Sequence, residues 1–133
     1  MKADKDDYTA ANAELENLDA SSRVAWALDR FGEGLVMSTS FGLQSAVMLH
    51  LVSKVSADIP IIFVDTGYLF PETYLYSETL REQLGVEPRV FSASLSSAGQ
   101  ETRFGRLWEQ GEEGMRRYNL INTKILPEPT QNH

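Results

Sequence analysis

Leu35-Val36-Met37-Ser38-Thr39-Ser40-Phe41-Gly42-Leu43-Gln44-Ser45 passes directly into Ala46-Val47-Met48-Leu49-His50-Leu51-Val52. Three apolar residues lead into a turn rich in hydroxyls and glycine, and an apolar helical pattern follows at once. A buried strand, a turn of small residues and a helix start form the geometry that holds phosphates. The first turn of a helix has free backbone N–H groups and a partial positive charge. Ser38, Thr39, Ser40 and Ser45 add hydroxyl donors, and Gly42 lets the backbone approach an anion closely. No charged residue lies between Glu33 and Lys54, so an anion bound here would be met by dipoles rather than by ion pairs. The same residues also fit plain turn and cap chemistry. Neither a Gly-Lys-Ser/Thr ending nor a Gly-x-Gly-x-x-Gly fingerprint is present.

The next segment repeats the pattern. Ile61-Ile62-Phe63-Val64 is β-branched, aromatic and continuously apolar, like strands of a parallel sheet covered on both faces. It runs into Asp65-Thr66-Gly67-Tyr68, which puts Asp65 at a strand's carboxyl end, where open α/β sheets receive ligands. An Asx turn closed by Asp65 accounts for the same residue without a ligand. Pro71-Glu72 opens a helix, with proline in the first position and an acid at the positive end. Tyr76, Leu80 and Leu84 form its apolar stripe, and Gly85 ends it. Arg89–Ser92 reads as a third strand, Ser94–Gly99 as a loop, and Glu101–Tyr118 as a helix interrupted near Gly111 and Gly114. Trp108 reads as core. Arg103 and Arg106, three apart, share a helical face that is either solvated or able to meet a phosphate.

Upstream, Thr9–Phe31 is helical, with Val24, Leu28 and Phe31 on one face. Asp19-Ala-Ser-Ser can divide it and Gly32-Glu-Gly34 stops it. Leu35–Thr39 is the first strand. Leu43–Val55 is apolar on most sides, which predicts a largely buried helix with His50 as a core or interface residue. The order is helix, then β-α-β-α-β-α, and it predicts an α/β fold: a parallel sheet with flanking helices and right-handed crossovers. Three strands make a small, incomplete sheet with an open edge. Residues 1–8 are expected to be disordered, and 9–122 form the α/β domain. Residues 123–133, with two prolines, form a divergent tail.

Composition narrows the function. At 133 residues the chain is one domain or most of one. A net charge of −7 argues against nucleic-acid partners, which require a basic surface. Arg103, Arg106, Arg116, Arg117 and Lys124 make the second half the more attractive one to a small anion. The chain has no cysteine, so no disulfide, thiolate catalysis, cysteine-held zinc or iron–sulfur cluster arises within these residues. His50 and His133 make no metal cluster. The N-terminus has no signal-peptide pattern. The uncharged run Gly34–Ser53 is too polar at its centre to span a membrane. The expectation is a soluble, cytoplasmic protein.

Together these segments resemble the 3′-phosphoadenosine 5′-phosphosulfate (PAPS) reductases of sulfate assimilation. The likeness runs from about Ala11 to Asn122. It is carried by Asn-Ala-Glu-Leu-Glu (12–16), Arg-Val-Ala-Trp-Ala-Leu (23–28) and Ser-Thr-Ser-Phe-Gly-Leu-Gln-Ser-Ala-Val-Met-Leu-His (38–50). Val-Asp-Thr-Gly-Tyr-Leu-Phe-Pro-Glu-Thr-Tyr (64–74) and Arg-Phe-Gly-Arg-Leu-Trp-Glu-Gln-Gly (103–111) continue it. The string Asp-Thr-Gly-Tyr-Leu-Phe-Pro-Glu-Thr is highly specific. The resemblance implies the adenine nucleotide alpha hydrolase-like fold of PP-loop type. Ser-Phe-Gly-Leu-Gln-Ser stands where ATP pyrophosphatases carry Ser-Gly-Gly-x-Asp-Ser, which favours the reductase branch.

The resemblance implies that the loop of Ser38, Thr39, Ser40, Phe41, Gly42, Gln44 and Ser45 cradles the phosphosulfate end. It implies that Asp65, Thr66, Gly67 and Tyr68 line the nucleotide pocket. In such enzymes a cysteine in a mobile C-terminal Glu-Cys-Gly-Leu-His motif attacks the phosphosulfate sulfur, and adenosine 3′,5′-bisphosphate leaves. Thioredoxin or glutaredoxin, the electron donor, then frees sulfite. The family's dimeric enzymes imply a homodimer or self-association. The sequence departs from the pattern after Asn122, where the family has Lys-Val-Glu-Pro, an arginine-rich loop, further strands and the cysteine tail. Here Thr-Lys-Ile-Leu-Pro-Glu-Pro follows, and Lys124 is one position out of register with the family lysine. A truncation, a frameshift, a fragment or a retained binding module accounts for this. Two readings stand: the nucleotide-binding part of a sulfonucleotide reductase, or a non-catalytic adenine-nucleotide-binding or interaction module.

Overall fold

The computed structural model of the chain describes residues 5–124. Two helices lead, α1 (Lys5–Glu16) and α2 (Ala20–Phe31). They divide at Asp19 because its carboxylate accepts from the Ser22 N–H at 2.8 Å, an N-cap that ends one helix and starts the next. That hydrogen bond holds the Asp19 carboxyl below its ordinary range. Arg23 fastens the corner, its Nε donating to the Leu15 and Leu18 carbonyls at 2.9 and 3.0 Å. α1 begins at Lys5, within the segment 1–8 for which disorder is expected; residues 1–4 lie outside the described residues. Of the expected tail, Thr123 and Lys124 close the last helix, and residues 125–133 lie outside the described residues.

A 3₁₀ turn at Gly32–Gly34 delivers the chain to β1 (Met37–Thr39). α3 (Ser45–Val55), β2 (Ile61–Asp65), α4 (Pro71–Leu84) and β3 (Arg89–Ser92) follow. The strands lie in the order β1-β2-β3, both pairs parallel. Thr39 pairs with Phe63 and Asp65 with Ser92, so the carboxyl ends of all three strands come to one side of the sheet. α4 has its ends where the sequence predicts them. Pro71 opens it, and Gly85 closes it with a left-handed φ of 63° that a side chain disfavours.

The core joins Phe41, Leu49, Ile61, Phe63, Leu80 and Val86. Phe41 and Phe63 meet edge to face, with ring centroids 4.9 Å apart, a favoured aromatic geometry. α3 departs from expectation. It begins at Ser45, two residues late, and of its residues only Leu49 and Val52 are buried. Val47 is 67% exposed and His50 is exposed, so His50 is not a core residue. The cause is topological: β1 is an edge strand, without a partner on its outer side among the described residues. No helix among the described residues is long and apolar enough to cross a membrane.

The helix expected over 101–118 is three pieces: α5 (Ser97–Phe104), a 3₁₀ turn (Leu107–Glu109) and α6 (Gly111–Thr123). α5 starts inside the expected Ser94–Gly99 loop because Ser96 caps it, its Oγ accepting from the Gly99 N–H at 3.1 Å. The break falls at Gly105, whose φ is 72°. Gly114 sits inside α6, where its missing Cβ leaves room for the Leu107 carbonyl.

Candidate functional site

The turn after β1 is pinned from beneath. Phe41 takes φ = 51°, unusual for a residue with a side chain, and its ring is 3% exposed. Its N–H donates to Thr39 Oγ1 at 3.2 Å, so the Thr39 hydroxyl closes the turn. The strained backbone sends one aromatic ring into the core while Ser40, Gly42, Leu43 and Gln44 stay exposed. Phe41 can therefore offer a ligand only its backbone. A Cβ at Gly42 would touch only Ser40 Oγ, at 3.4 Å, leaving the outer side of the turn open. No side chain caps α3. Ser45 N–H is engaged by the Gly42 carbonyl at 2.9 Å, and the following N–H groups of the first turn remain for another acceptor.

The turn after β2 is built on Asp65. Its Oδ1 accepts from the Gly67 N–H and from the Tyr74 hydroxyl, each at 2.7 Å. The first bond is an Asx turn. The second comes from α4. Gly67 has φ = 82°, and a Cβ there would stand 3.0 Å from Ser97 Oγ, so both conformation and space favour glycine. The Thr66 carbonyl accepts from Ser97 Oγ at 3.0 Å and from the Tyr118 hydroxyl at 3.5 Å, which ties the turn to α5 and α6. Tyr68 is 64% exposed, its ring 5.3 Å from that of Trp108, which in turn lies 5.4 Å from Tyr118. Trp108 is thus the middle of a cluster of three rings in tilted and edge-to-face contact, and it is half-buried.

Asp65–Tyr68 line one side of an open cavity of about 510 Å³, with Ser92, Ala93 and Leu95–Ala98 on the other. Asp65 also borders a smaller cavity of about 140 Å³ shared with Phe41 and Tyr74. Asp65, Thr66, Gly67 and Tyr68 are therefore together. Phe41 meets Asp65 at the smaller cavity. Ser38, Thr39, Ser40, Gly42, Gln44 and Ser45 line neither cavity: Ser38 and Thr39 lie in β1, and Ser40, Gly42, Gln44 and Ser45 follow its end. The α5 cap segment was legible only as a loop; its signal was the run of hydroxyls Ser94-Leu-Ser-Ser97 directly after β3. Tyr74 had no sequence signal as a partner of Asp65.

The arginine pair does not share one helical face. Gly105 breaks the helix between Arg103 and Arg106. Arg106 pairs with Glu101 and Glu109 at 2.8 and 3.2 Å, bonds that raise its pKa. Arg116 pairs with Glu113 at 2.8 Å, and Arg117 lies over the Phe104 ring at 4.3 Å. A larger cavity, about 680 Å³, sits at the opposite end of the sheet among His50, Lys54, Asp58 and Arg89. It faces the carboxyl ends of α3 and α4, whose carbonyl dipoles disfavour an anion. Among the described residues no group of three or more histidine, aspartate or glutamate side chains could hold a metal.

Comparisons with known proteins bear on the family and the fold. The phosphoadenosine phosphosulfate reductase domain matches residues 34–128. A phosphoadenosine 5′-phosphosulfate reductase of Zymomonas mobilis is 55% identical over 117 residues, 88% of this chain and 48% of its own length. One from Escherichia coli strain HS is 56% identical over 116 residues, 87% of this chain and 47% of its own length. The crystal structure of phosphoadenylyl-sulfate reductase from Candida auris, a phosphate complex, has a TM-score of 0.77 at 24% identity. It is matched over 98% of this chain and 62% of that one, a likeness of fold. The chain spans about half the length of the curated relatives it matches. With the matched region running from ahead of β1 to beyond α6, the chain belongs to the phosphoadenosine phosphosulfate reductase family.

Proposed function

We propose that this chain is the nucleotide-binding part of a thioredoxin-dependent phosphoadenylyl-sulfate reductase. It would bind PAPS, or its product adenosine 3′,5′-bisphosphate, across the carboxyl ends of β1, β2 and β3. The observation that carries this is the convergence of three turns there: an open Ser38–Ser45 turn over an uncapped helix start, the Asp65 turn, and the Ser96 cap of α5. Backbone N–H groups and hydroxyls suit the phosphosulfate, with Ser38, Thr39, Ser40, Gly42, Gln44 and Ser45 around it and Phe41 fixing the turn. Asp65, Thr66, Gly67 and Tyr68 suit the nucleoside.

In the reaction so proposed, a thiolate attacks the sulfonate sulfur and the sulfur–oxygen bond to phosphate breaks. Adenosine 3′,5′-bisphosphate leaves with the bond electrons. A dithiol of thioredoxin or glutaredoxin then displaces sulfite and becomes a disulfide. The 133 residues contain no cysteine, so their part is to bind and orient, which contributes separately from the nucleophile. The partner proposal is a second copy of the chain on the exposed Leu43, Val47 and Met48, and the proposed location is the cytoplasm. The test of the binding reading is calorimetric titration with adenosine 3′,5′-bisphosphate and with adenosine 5′-monophosphate. Saturable binding, tighter for the bisphosphate and weakened by Gly42→Val, is expected; a folded chain without saturable binding at millimolar ligand overturns it.

A further inference from the structure

We infer that Tyr74 is a positioning residue for the Asp65 carboxylate, whose remaining oxygen accepts from a neutral hydrogen-bond donor of the bound nucleotide. The inference rests on the nucleotide-binding reading above. Tyr74 hydroxyl and Gly67 N–H both donate to Oδ1 at 2.7 Å, and Oδ2 takes no hydrogen bond from the described residues. An Asx turn requires only the Gly67 bond. The second donor comes from another element, nine residues on, and its effect is to fix the plane of the carboxylate. Tyr74 is itself held: it lies in the first turn of α4 behind Pro71, and its carbonyl accepts from Ser77 Oγ at 2.7 Å. Burial, and then the hydrogen bond to Asp65, raise the phenol above its usual pKa, so it stays a donor at neutral pH.

An ionised carboxylate only accepts hydrogen bonds, and its charge repels phosphate and sulfate oxygens. What meets Oδ2 is therefore a hydroxyl or amine, in this reading a ribose hydroxyl or the exocyclic amine of the base. The site thus divides its ligand. Dipoles of the Ser38–Ser45 turn take the anionic end, and Asp65 takes sugar or base.

The test titrates the whole chain and Tyr74→Phe with adenosine 3′,5′-bisphosphate, its 2′-deoxy counterpart and its inosine counterpart. Tyr74→Phe should bind the parent ligand about tenfold more weakly. One ligand deletion should cost the native chain about tenfold and the variant about threefold or less, and which deletion does so tells hydroxyl from amine. Asp65→Asn keeps an acceptor for Gly67 and Tyr74 but turns an amide donor toward the ligand, and should lose the same discrimination. It decides the matter alone should Tyr74→Phe fail to fold. Unchanged binding by Tyr74→Phe, equal losses for every ligand, or discrimination retained in Asp65→Asn overturns the inference while the binding reading stands. A native chain that binds none of the three overturns both.

Discussion

Replacing Phe41 separates the two things it does: fill the core and hold a left-handed turn. Its ring is 3% exposed and stands edge to face on Phe63 at 4.9 Å. Removing such a ring in Phe41→Ala costs about 3–5 kcal/mol, of which about 0.5–1.5 kcal/mol belongs to the aromatic pair. Glycine is ordinarily worse than alanine by about 0.5–1 kcal/mol. Here φ is 51°, and a Cβ in the left-handed region costs about 1–2 kcal/mol. The two backbone effects oppose, and the second is the larger. Phe41→Gly should therefore be as stable as Phe41→Ala or up to about 1 kcal/mol more stable, although it removes more atoms. Urea unfolding followed by circular dichroism measures both, against a total stability of about 5–15 kcal/mol for a domain this size. A cost for Phe41→Ala below about 1 kcal/mol would mean the ring is not in the core. Alanine better than glycine by about 1 kcal/mol would mean the turn is not left-handed.

Gly114→Ala would drive a Cβ into the Leu107 carbonyl and to 2.6 Å from Gln110 Cβ. The gain in helix propensity, about 1 kcal/mol, should be outweighed by overpacking of about 1–3 kcal/mol, and a higher unfolding midpoint would refute the close packing of α6 on the 3₁₀ turn. Asn122 accepts from Gln100 Nε2 at 3.0 Å and donates to the Tyr118 carbonyl at 2.9 Å, and Gln100 Oε1 is buried without a partner. Asn122→Ala should thus cost about 1–3 kcal/mol in thermal or urea melts, and an unchanged melt would remove this pair as the link between α5 and α6. Incubated with PAPS, thioredoxin and its reductant, the 133-residue chain should give no sulfite above background, since an oxygen nucleophile forms an ester that a dithiol does not convert to sulfite. Sulfite release with contaminating enzyme excluded would overturn the thiolate step.

What the sequence made legible follows from where a local signal suffices. β2, β3 and α4 were readable because each end carries its own residue: Pro60 and Asp65, Ser92, Pro71 and Gly85. The Asx turn at Asp65 was likewise local. Burial of α3 was not readable, because an apolar run does not say which side is covered, and β1 lies at the sheet edge. The shared face expected for Arg103 and Arg106 does not form, because helical phase presumes a continuous helix and Gly105 ends it; both side chains are exposed. Glycine in sequence does not tell a positive φ, as at Gly105, from a missing Cβ, as at Gly114. Within the candidate site, Phe41 looked like a turn residue open to ligand, and only the packing on Phe63 reveals it as the pin. The Tyr74–Asp65 bond joins two elements and leaves no trace in spacing.

Whether a nucleotide binds where the three strands end can be read from amide chemical-shift mapping. The isotope-labelled chain is titrated with adenosine 3′,5′-bisphosphate. Saturable shifts, with one affinity, are expected at the amides of Phe41–Ala46, Asp65–Tyr68 and Ser96–Ala98. The amides of Lys54–Asp58 and Gly85–Arg89, around the larger cavity at the other end of the sheet, should stay still. Saturable shifts confined to that opposite cavity would place the nucleotide there and not at the strand ends.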